Sequence, residues 1–476
     1  MKKARINDLW FYKYRYQIGY CGLFISYIVI ILYTILVAPR GLTASEINSA
    51  YESSQFSFAN LFSADIVNAP YKLFQGLSIS LFGLSTFSIK LPSLIISALA
   101  LFGIIKLTNK WFSPGIATLA SVIAIASSQF FFLAQNGSPE ILYILYPVLI
   151  LYFGATFISA KNKIPSIIAF STLLGLSLYT PLGVYILLAM ILTIFAHPHL
   201  RFLIKKTAKK QSALVFIILP LLIAPLLIAI FRDFNIAKEL IGIPDSLNIF
   251  DNAKDLFSHL FSFSSPSDNG ILSPIINSTS LILIGVGLFF TLSSRYTSRS
   301  YLINIWSLIL FSVCLINPNS ETILFTPILI LTVSGLQSLV HTWYTLFPKN
   351  PYARVTGLLP VVVLVVSLLF TSFENFRLNY TYSPTILTNF SQDLEILKSG
   401  LSETQTVLVS ETESKFYKIL ENNSDIKIVD EFKDDKILIS NAAYSDSKIP
   451  KNYKIKHIYI SSKKDQADRF YLLERS

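Results

Sequence analysis

Residues 41–92 read GLTASEINSAYESSQFSFANLFSADIVNAPYKLFQGLSISLFGLSTFSIKLP. The stretch follows the first long apolar run of the chain, Ile18 to Val37, and is too polar to cross a bilayer itself. It is also too rich in Tyr, Phe and Leu to leave a membrane surface. Glu46, Glu52 and Asp65 place three carboxylates just outside the apolar slab. Acids on short amphipathic helices at a membrane face are a setting for interfacial chemistry.

Outward from it, the composition is that of a membrane protein. Only 14% of the 476 residues are charged, against roughly 25% in soluble domains. A helix crossing the hydrocarbon core needs about 20 mostly apolar residues. Such runs lie near 18–38, 91–108, 114–134, 139–159, 164–178, 182–196, 212–231, 276–293, 300–316, 322–341 and 355–372, which predicts about 11 transmembrane helices. Lys2, Lys3, Arg5, Lys13 and Arg15 precede the first run. Its length of about 20 residues suits a span better than the shorter apolar core of a cleavable signal.

Charge orients the helices. With the N-terminus inside, eighteen Lys/Arg fall on inner segments and six (Arg40, Lys72, Lys90, Arg232, Lys238 and Lys254) on outer ones up to residue 372. Among acids only Asp8 falls inside, with eleven outside. This satisfies the positive-inside rule and predicts an integral protein of the cytoplasmic (plasma) membrane, N-terminus inside and C-terminal part outside. The net charge of +11 is spread over short cytoplasmic turns rather than gathered in one groove, which argues against a nucleic-acid partner. Cys21 and Cys314 both lie in apolar runs and read as small hydrophobes. No His/Asp cluster points to a metal.

Two outer regions break the short-loop pattern: residues 39–90 and 232–275. In the second, LFSHLFSF suggests a segment lying on the membrane or capping a cavity. From residue 373 to 476 the balance becomes that of a soluble domain, with fifteen Lys/Arg against sixteen Asp/Glu. A helix near 385–399, TVLVS, KFYKILEN, IKIVD, KILIS, IKHIYIS and a closing helix predict a small α/β domain with a mainly parallel sheet. The expected division is a transmembrane domain, 1–372, and an extracytoplasmic domain, 373–476, the latter a scaffold or lid.

The first outer stretch resembles that of the GT-C superfamily of membrane glycosyltransferases, closest to the protein O-mannosyltransferase and aminoarabinose transferase-like branches. Gly41, Leu42, Ser45 and Glu46 match a G-L-x-x-D-E motif. Pro70, Tyr71, Leu81, Phe82, Gly83, Phe87, Ser88, Lys90, Leu91, Pro92 and Ser93 match the block some thirty residues later. Weaker echoes are Trp111–Pro114, Glu140 at the start of the fourth span, and Gly175–Thr180. The resemblance implies an all-α polytopic fold of GT-C type, here with the small C-terminal α/β domain.

It also implies an activity: inverting, single-displacement transfer of a sugar from a polyprenyl-phosphate-linked donor to a glycan, lipid or protein acceptor on the outer face. The lipid-linked donor is a substrate, and no cofactor or metal is implied. A carboxylate near the anomeric carbon is the natural base, and cations near the phosphate stabilise the departing charge. Glu46 and Asp65 are the candidate catalytic acids, and Lys90, Glu140, Tyr71 and Arg40 the candidate substrate-binding residues.

The sequence departs from the pattern at three places. Ser45 stands at the usual aspartate, Asn136 at a frequent arginine, and Thr180–Tyr185 contains no arginine. Either Glu46 or Asp65 takes the base's role, or the protein is a catalytically inactive envelope-assembly scaffold of GT-C descent. Thr43-x-x-Glu46 equally reads as a capping box, Ser138-Pro139-Glu140 as a helix start, Lys90 as a snorkelling residue and Asp65 as a solvated loop acid. A transporter would carry mid-membrane ionisable residues or matched broken helices, and neither pattern is evident.

Overall fold

The structure, a computed structural model, describes all residues except 1–9, 38–40, 58–61, 63–65, 160–163, 206–208, 245–247, 265–270, 295–296, 384–385, 387–389, 391–393, 424–425, 430, 448 and 462–467. After a single turn at Trp10–Lys13, the helices of the apolar part are α1 (Arg15–Val37), α2 (Ala44–Gln55), α3 (Ala69–Phe82), α4 (Thr86–Trp111), α5 (Pro114–Ala126), α6 (Ser128–Gln135), α7 (Leu142–Ser159), α8 (Ile164–Ser177), α9 (Val184–Ala196) and α10 (Pro198–Lys205). They continue as α11 (Lys209–Arg232), α12 (Asn235–Ile241), α13 (Ile249–Phe261), α14 (Ser278–Ser293), α15 (Ser298–Ile316), α16 (Phe325–Leu346) and α17 (Pro351–Tyr382).

Each predicted span has a helical counterpart among the described residues. Seven are long and apolar enough to cross a membrane as single helices, or up to nine if each bent pair is one span. The pairs are α5 with α6, bent by 57°, and α9 with α10, bent by 99°. The remaining two, α8 and α14, have 14 and 16 residues. At about 1.5 Å per residue each falls short of a core some 30 Å thick.

The bundle is held by apolar packing and close helix contact. Tyr27, Phe130 and Phe325 stack in series, with centroids 5.6 and 5.9 Å apart, joining α1, α6 and α16. Helices α14 and α16 cross at Gly287 and Gly335. A Cβ on Gly287 would lie 1.9 Å from the Leu331 carbonyl oxygen, and one on Gly335 2.1 Å from that of Leu283. In lipid, small residues of this kind let backbones approach where the hydrophobic effect gives little.

The first outer stretch is punctuated by caps. Thr43 and Glu46 form a capping box that starts α2, and Ser85 and Ser88 form another that starts α4. Pro70 sits in the first turn of α3, and Gly83, at φ 71°, ends it. The stretch is tied to the rest by Asn68 N–H donating to Tyr179 O at 2.8 Å and Arg232 Nη1 donating to Phe62 O at 3.0 Å. The second outer stretch forms α12 and α13. Helix α13 caps the turn Pro318–Leu324, with Asn252 Nδ2 donating to Ile316 O at 2.8 Å. Its Phe250 and Phe257 stay exposed.

Beyond α17 lie α18 (Leu394–Leu401), β1 (Thr406–Leu408), α19 (Glu411–Asn423), β2 (Lys427–Ile428), β3 (Lys436–Ser440), α20 (Asn441–Asp446), β4 (Tyr453–Ile460) and β5 (Asp468–Arg475). The sheet order is β2-β1-β3-β5-β4. Two expectations are corrected. The expected closing helix is strand β5, and the sheet is mixed: β1 pairs in parallel with β2 and β3, while β5 pairs antiparallel with β3 and β4. The run FYLL carries no periodicity that separates buried strand from buried helix. Insertion between two strands buries it on both faces. Val407, Phe416, Tyr417 and Leu420 of this part share one apolar core with Leu42, Ala50, Ile79 and Ile89 of the first outer stretch.

Candidate active site

Four of the six residues singled out from the sequence come together; the other two, Asp65 and Arg40, lie outside the described residues. Glu46, in the first turn of α2, is fully buried. Its Oε1 is 3.3 Å from Lys90 Nζ and accepts from Gly137 N–H at 2.8 Å. Its Oε2 accepts from Thr43 N–H at 2.9 Å and from Thr43 Oγ1 at 3.3 Å. A carboxylate offers about four lone-pair sites, and all four have a partner. Glu46 is therefore the expected capping residue and also a buried ion-pair partner.

Lys90, on the first turns of α4, does not snorkel. It is 1% exposed, and its ammonium lies 5.8 Å from the centre of the Phe390 ring. Tyr71, on α3, is fully buried and its hydroxyl is 2.8 Å from Ser93 Oγ on α4. Burial foremost, then the Glu46 and Glu140 charges, pushes its phenol well up, so it stays protonated.

Glu140 stands on the 3-10 turn Pro139–Ile141 that feeds α7. It lies within electrostatic reach of Glu46 and Tyr71. Its Oε2 is buried and has no hydrogen-bond partner among the described residues. Of the two carboxylates, this is the one with an open acceptor.

Several residues were not anticipated. Gln75, fully buried on α3, accepts from Ser49 and Ser53 hydroxyls at 2.7 Å each, and donates to Ile89 O at 2.9 Å and Gly137 O at 2.8 Å. It thereby locks α2, α3, α4 and the Gly137 loop into one unit. Gly137 is needed for closeness: a Cβ there would lie 2.7 Å from Ile89 Cγ2 and 2.9 Å from Ile89 O. Glu321, on the 3-10 turn Pro318–Leu324, is fully buried within electrostatic reach of Glu140, and no other described residue hydrogen-bonds its oxygens. Its signal was available: Asn317-Pro318 with Glu321 in the first turn follows the same helix-start logic, a polar cap and then proline, as Ser138-Pro139-Glu140. Both turns lead into a long apolar helix.

A second ion pair flanks the site, with Lys72 Nζ 3.0 Å from Glu52 Oε2. Burial pushes the carboxyl of nearby Glu239, on α12, above the usual range, against the pull of Lys72. No group of three or more His, Cys, Asp or Glu with metal-binding geometry occurs among the described residues.

Comparison with known proteins agrees with this architecture. A family model for dolichyl-phosphate-mannose-protein mannosyltransferase matches residues 70–228. The crystal structure of ArnT from Cupriavidus metallidurans bound to undecaprenyl phosphate superposes with a TM-score of 0.56 at 11% identity, over 96% of this chain and 98% of that one. The Archaeoglobus fulgidus oligosaccharyltransferase tethered to an acceptor peptide gives 0.55 at 9% identity, over 88% and 64%. AglB of the same organism, in complex with an inhibitory peptide and a dolichol-phosphate, gives 0.52 at 10% identity, over 91% and 70%. No curated protein sequence matches. The chain is an integral membrane protein with the fold of the GT-C membrane glycosyltransferases.

Proposed function

We propose that the protein transfers a sugar from a polyprenyl-phosphate-linked donor to an acceptor at the outer face of the plasma membrane, with the C-terminal part on that face. The observation that carries this reading is the open Glu140 carboxylate beside the closed Glu46–Lys90 pair. In the reaction the acceptor's hydroxyl or amine attacks the anomeric carbon as the bond from that carbon to the phosphate oxygen breaks. The polyprenyl phosphate leaves with the electron pair, the acceptor's proton passes to a carboxylate, and the configuration inverts.

A base needs a free lone pair directed at the proton it takes. Glu46 has its four acceptor positions engaged, so in this reading it is a positioning residue, holding Lys90 and the Gly137 backbone. Glu140 takes the proton. Lys90 supplies positive charge for the departing phosphate, and Tyr71 remains a hydrogen-bond donor. The donor lipid is the substrate; no cofactor and no metal enters the scheme.

The test is transfer in proteoliposomes from a panel of polyprenyl-phosphate-linked sugars. Glu140→Gln is expected to lower the turnover by about 10²–10⁴-fold, the usual weight of a general base, with donor binding retained. Turnover within tenfold of wild type removes Glu140 from the role. The scaffold reading draws on the saturation of Glu46 and on Ser45 at the family's aspartate. Its outcome is a wild-type chain that binds polyprenyl phosphate and transfers no sugar from any donor.

A further inference from the structure

At the other end of the bundle the helices α4, α7, α8, α9, α11 and α15 border a cavity of about 500 Å³. Its walls include Trp111, Gly154, Phe170, Met190 and Leu219, and Phe216 and Ile191 at its rim are exposed, so it opens toward lipid. Lys90 stands near the start of α4 and Trp111 ends it. At about 1.5 Å per residue the two lie roughly 30 Å apart, the thickness of a hydrocarbon core. The cavity therefore belongs to the leaflet opposite the candidate active site.

Among the described residues Arg299 is the one charged side chain lining it. The guanidinium is partly buried, donates Nη1–H to Trp111 O and lies 4.7 Å from the centre of the Phe112 ring. Among the described residues no carboxylate pairs with it. Residues 93–139, 141–232 and 269–320 contain no Asp or Glu, and Asp8 is the single acid that the charge distribution assigns to that face. A partly desolvated cation with spare donors calls for a counter-anion, and none of the described residues provides it. The membrane supplies one with an apolar tail attached.

We propose that this cavity binds an anionic phospholipid, one acyl chain filling the apolar space and the phosphate meeting Arg299. The site is independent of the transfer reaction, and its test reads lipid retention rather than turnover. The full-length protein is delipidated in detergent and offered phosphatidylglycerol, phosphatidylcholine of the same acyl chains, or undecaprenyl phosphate, and bound lipid is counted by native mass spectrometry. Wild type is expected to retain phosphatidylglycerol about tenfold over phosphatidylcholine, whose choline cation offsets the phosphate charge that Arg299 meets. Arg299→Gln is expected to abolish that preference. Ala155→Trp, which fills the cavity and leaves the cation in place, is expected to prevent retention of either phospholipid. Equal retention of the two phospholipids by wild type, or an unchanged preference in Arg299→Gln, overturns the proposal. So does one-for-one displacement of phosphatidylglycerol by undecaprenyl phosphate, which assigns the cavity to a polyprenyl chain.

Discussion

Glu46 and Lys90 meet at 3.3 Å with their side chains 0% and 1% exposed, on two helices of the first outer stretch. A buried pair gains little over a well-packed apolar pair, but removal of one partner strands the other charge, at a cost of about 3–5 kcal/mol. Lys90→Met is thus expected to lower unfolding stability by that amount. Glu46→Gln with Lys90→Met is expected to recover part of it. Thermal unfolding of the four proteins in one detergent gives the cycle, and a double variant no better than Lys90→Met contradicts the coupling.

Gly137 sits where its N–H reaches Glu46 and its carbonyl receives Gln75. Gly137→Ala drives a methyl group into Ile89, including its backbone oxygen. Overpacking of this kind costs about 1–3 kcal/mol. A lowered unfolding midpoint is expected, together with lost transfer, because the Glu140 turn begins directly after this loop.

Gln75→Leu keeps the size of the side chain and removes all its polar contacts. The Ser49 and Ser53 hydroxyls and the Gly137 carbonyl lose their partner in a buried setting, while the Ile89 carbonyl keeps only its helical bond. At about 1–3 kcal/mol for each orphaned group, this is expected to be among the most destabilising single changes in the outer stretch. Cysteine labelling at positions on α2 before and after the change reads whether that helix detaches.

Glu321→Met is expected to act in the opposite direction. Two buried oxygens that no other described residue hydrogen-bonds disappear while the volume is kept, a gain of about 1–3 kcal/mol. A raised unfolding midpoint with transfer reduced identifies Glu321 as a group kept for function at the expense of stability. A lowered midpoint shows that it has a structural partner.

The helical frame was legible because apolar run length and charge asymmetry are set by the bilayer and owe little to tertiary contacts. What tertiary contacts decide was not. The break at Ser127 carries neither Pro nor Gly, so residues 114–134 read as one span although α5 and α6 bend apart. Strand β5 is a strand because β3 and β4 flank it. In the site, Glu46, Lys90, Tyr71 and Glu140 were visible through spacing and resemblance. Whether each carboxylate keeps an open oxygen depends on Gly137 and Thr43 lying beside Glu46, which spacing does not encode. Glu321 joins the group only because two 3-10 turns far apart in the chain converge.

The apolar core that joins Leu42, Ala50, Ile79 and Ile89 to Val407, Phe416, Tyr417 and Leu420 has a consequence for the order of events at the ribosome. The early half of this core is made some 300 residues before its complement. At about 5–20 residues per second, it waits on the order of 15–60 s for its cover. Until then α2 has only the bundle beneath it. A chain that ends before residue 394 lacks the residues that cover Leu42, Ala50, Ile79 and Ile89, so this apolar surface on the first outer stretch marks an unfinished chain to a quality-control protease.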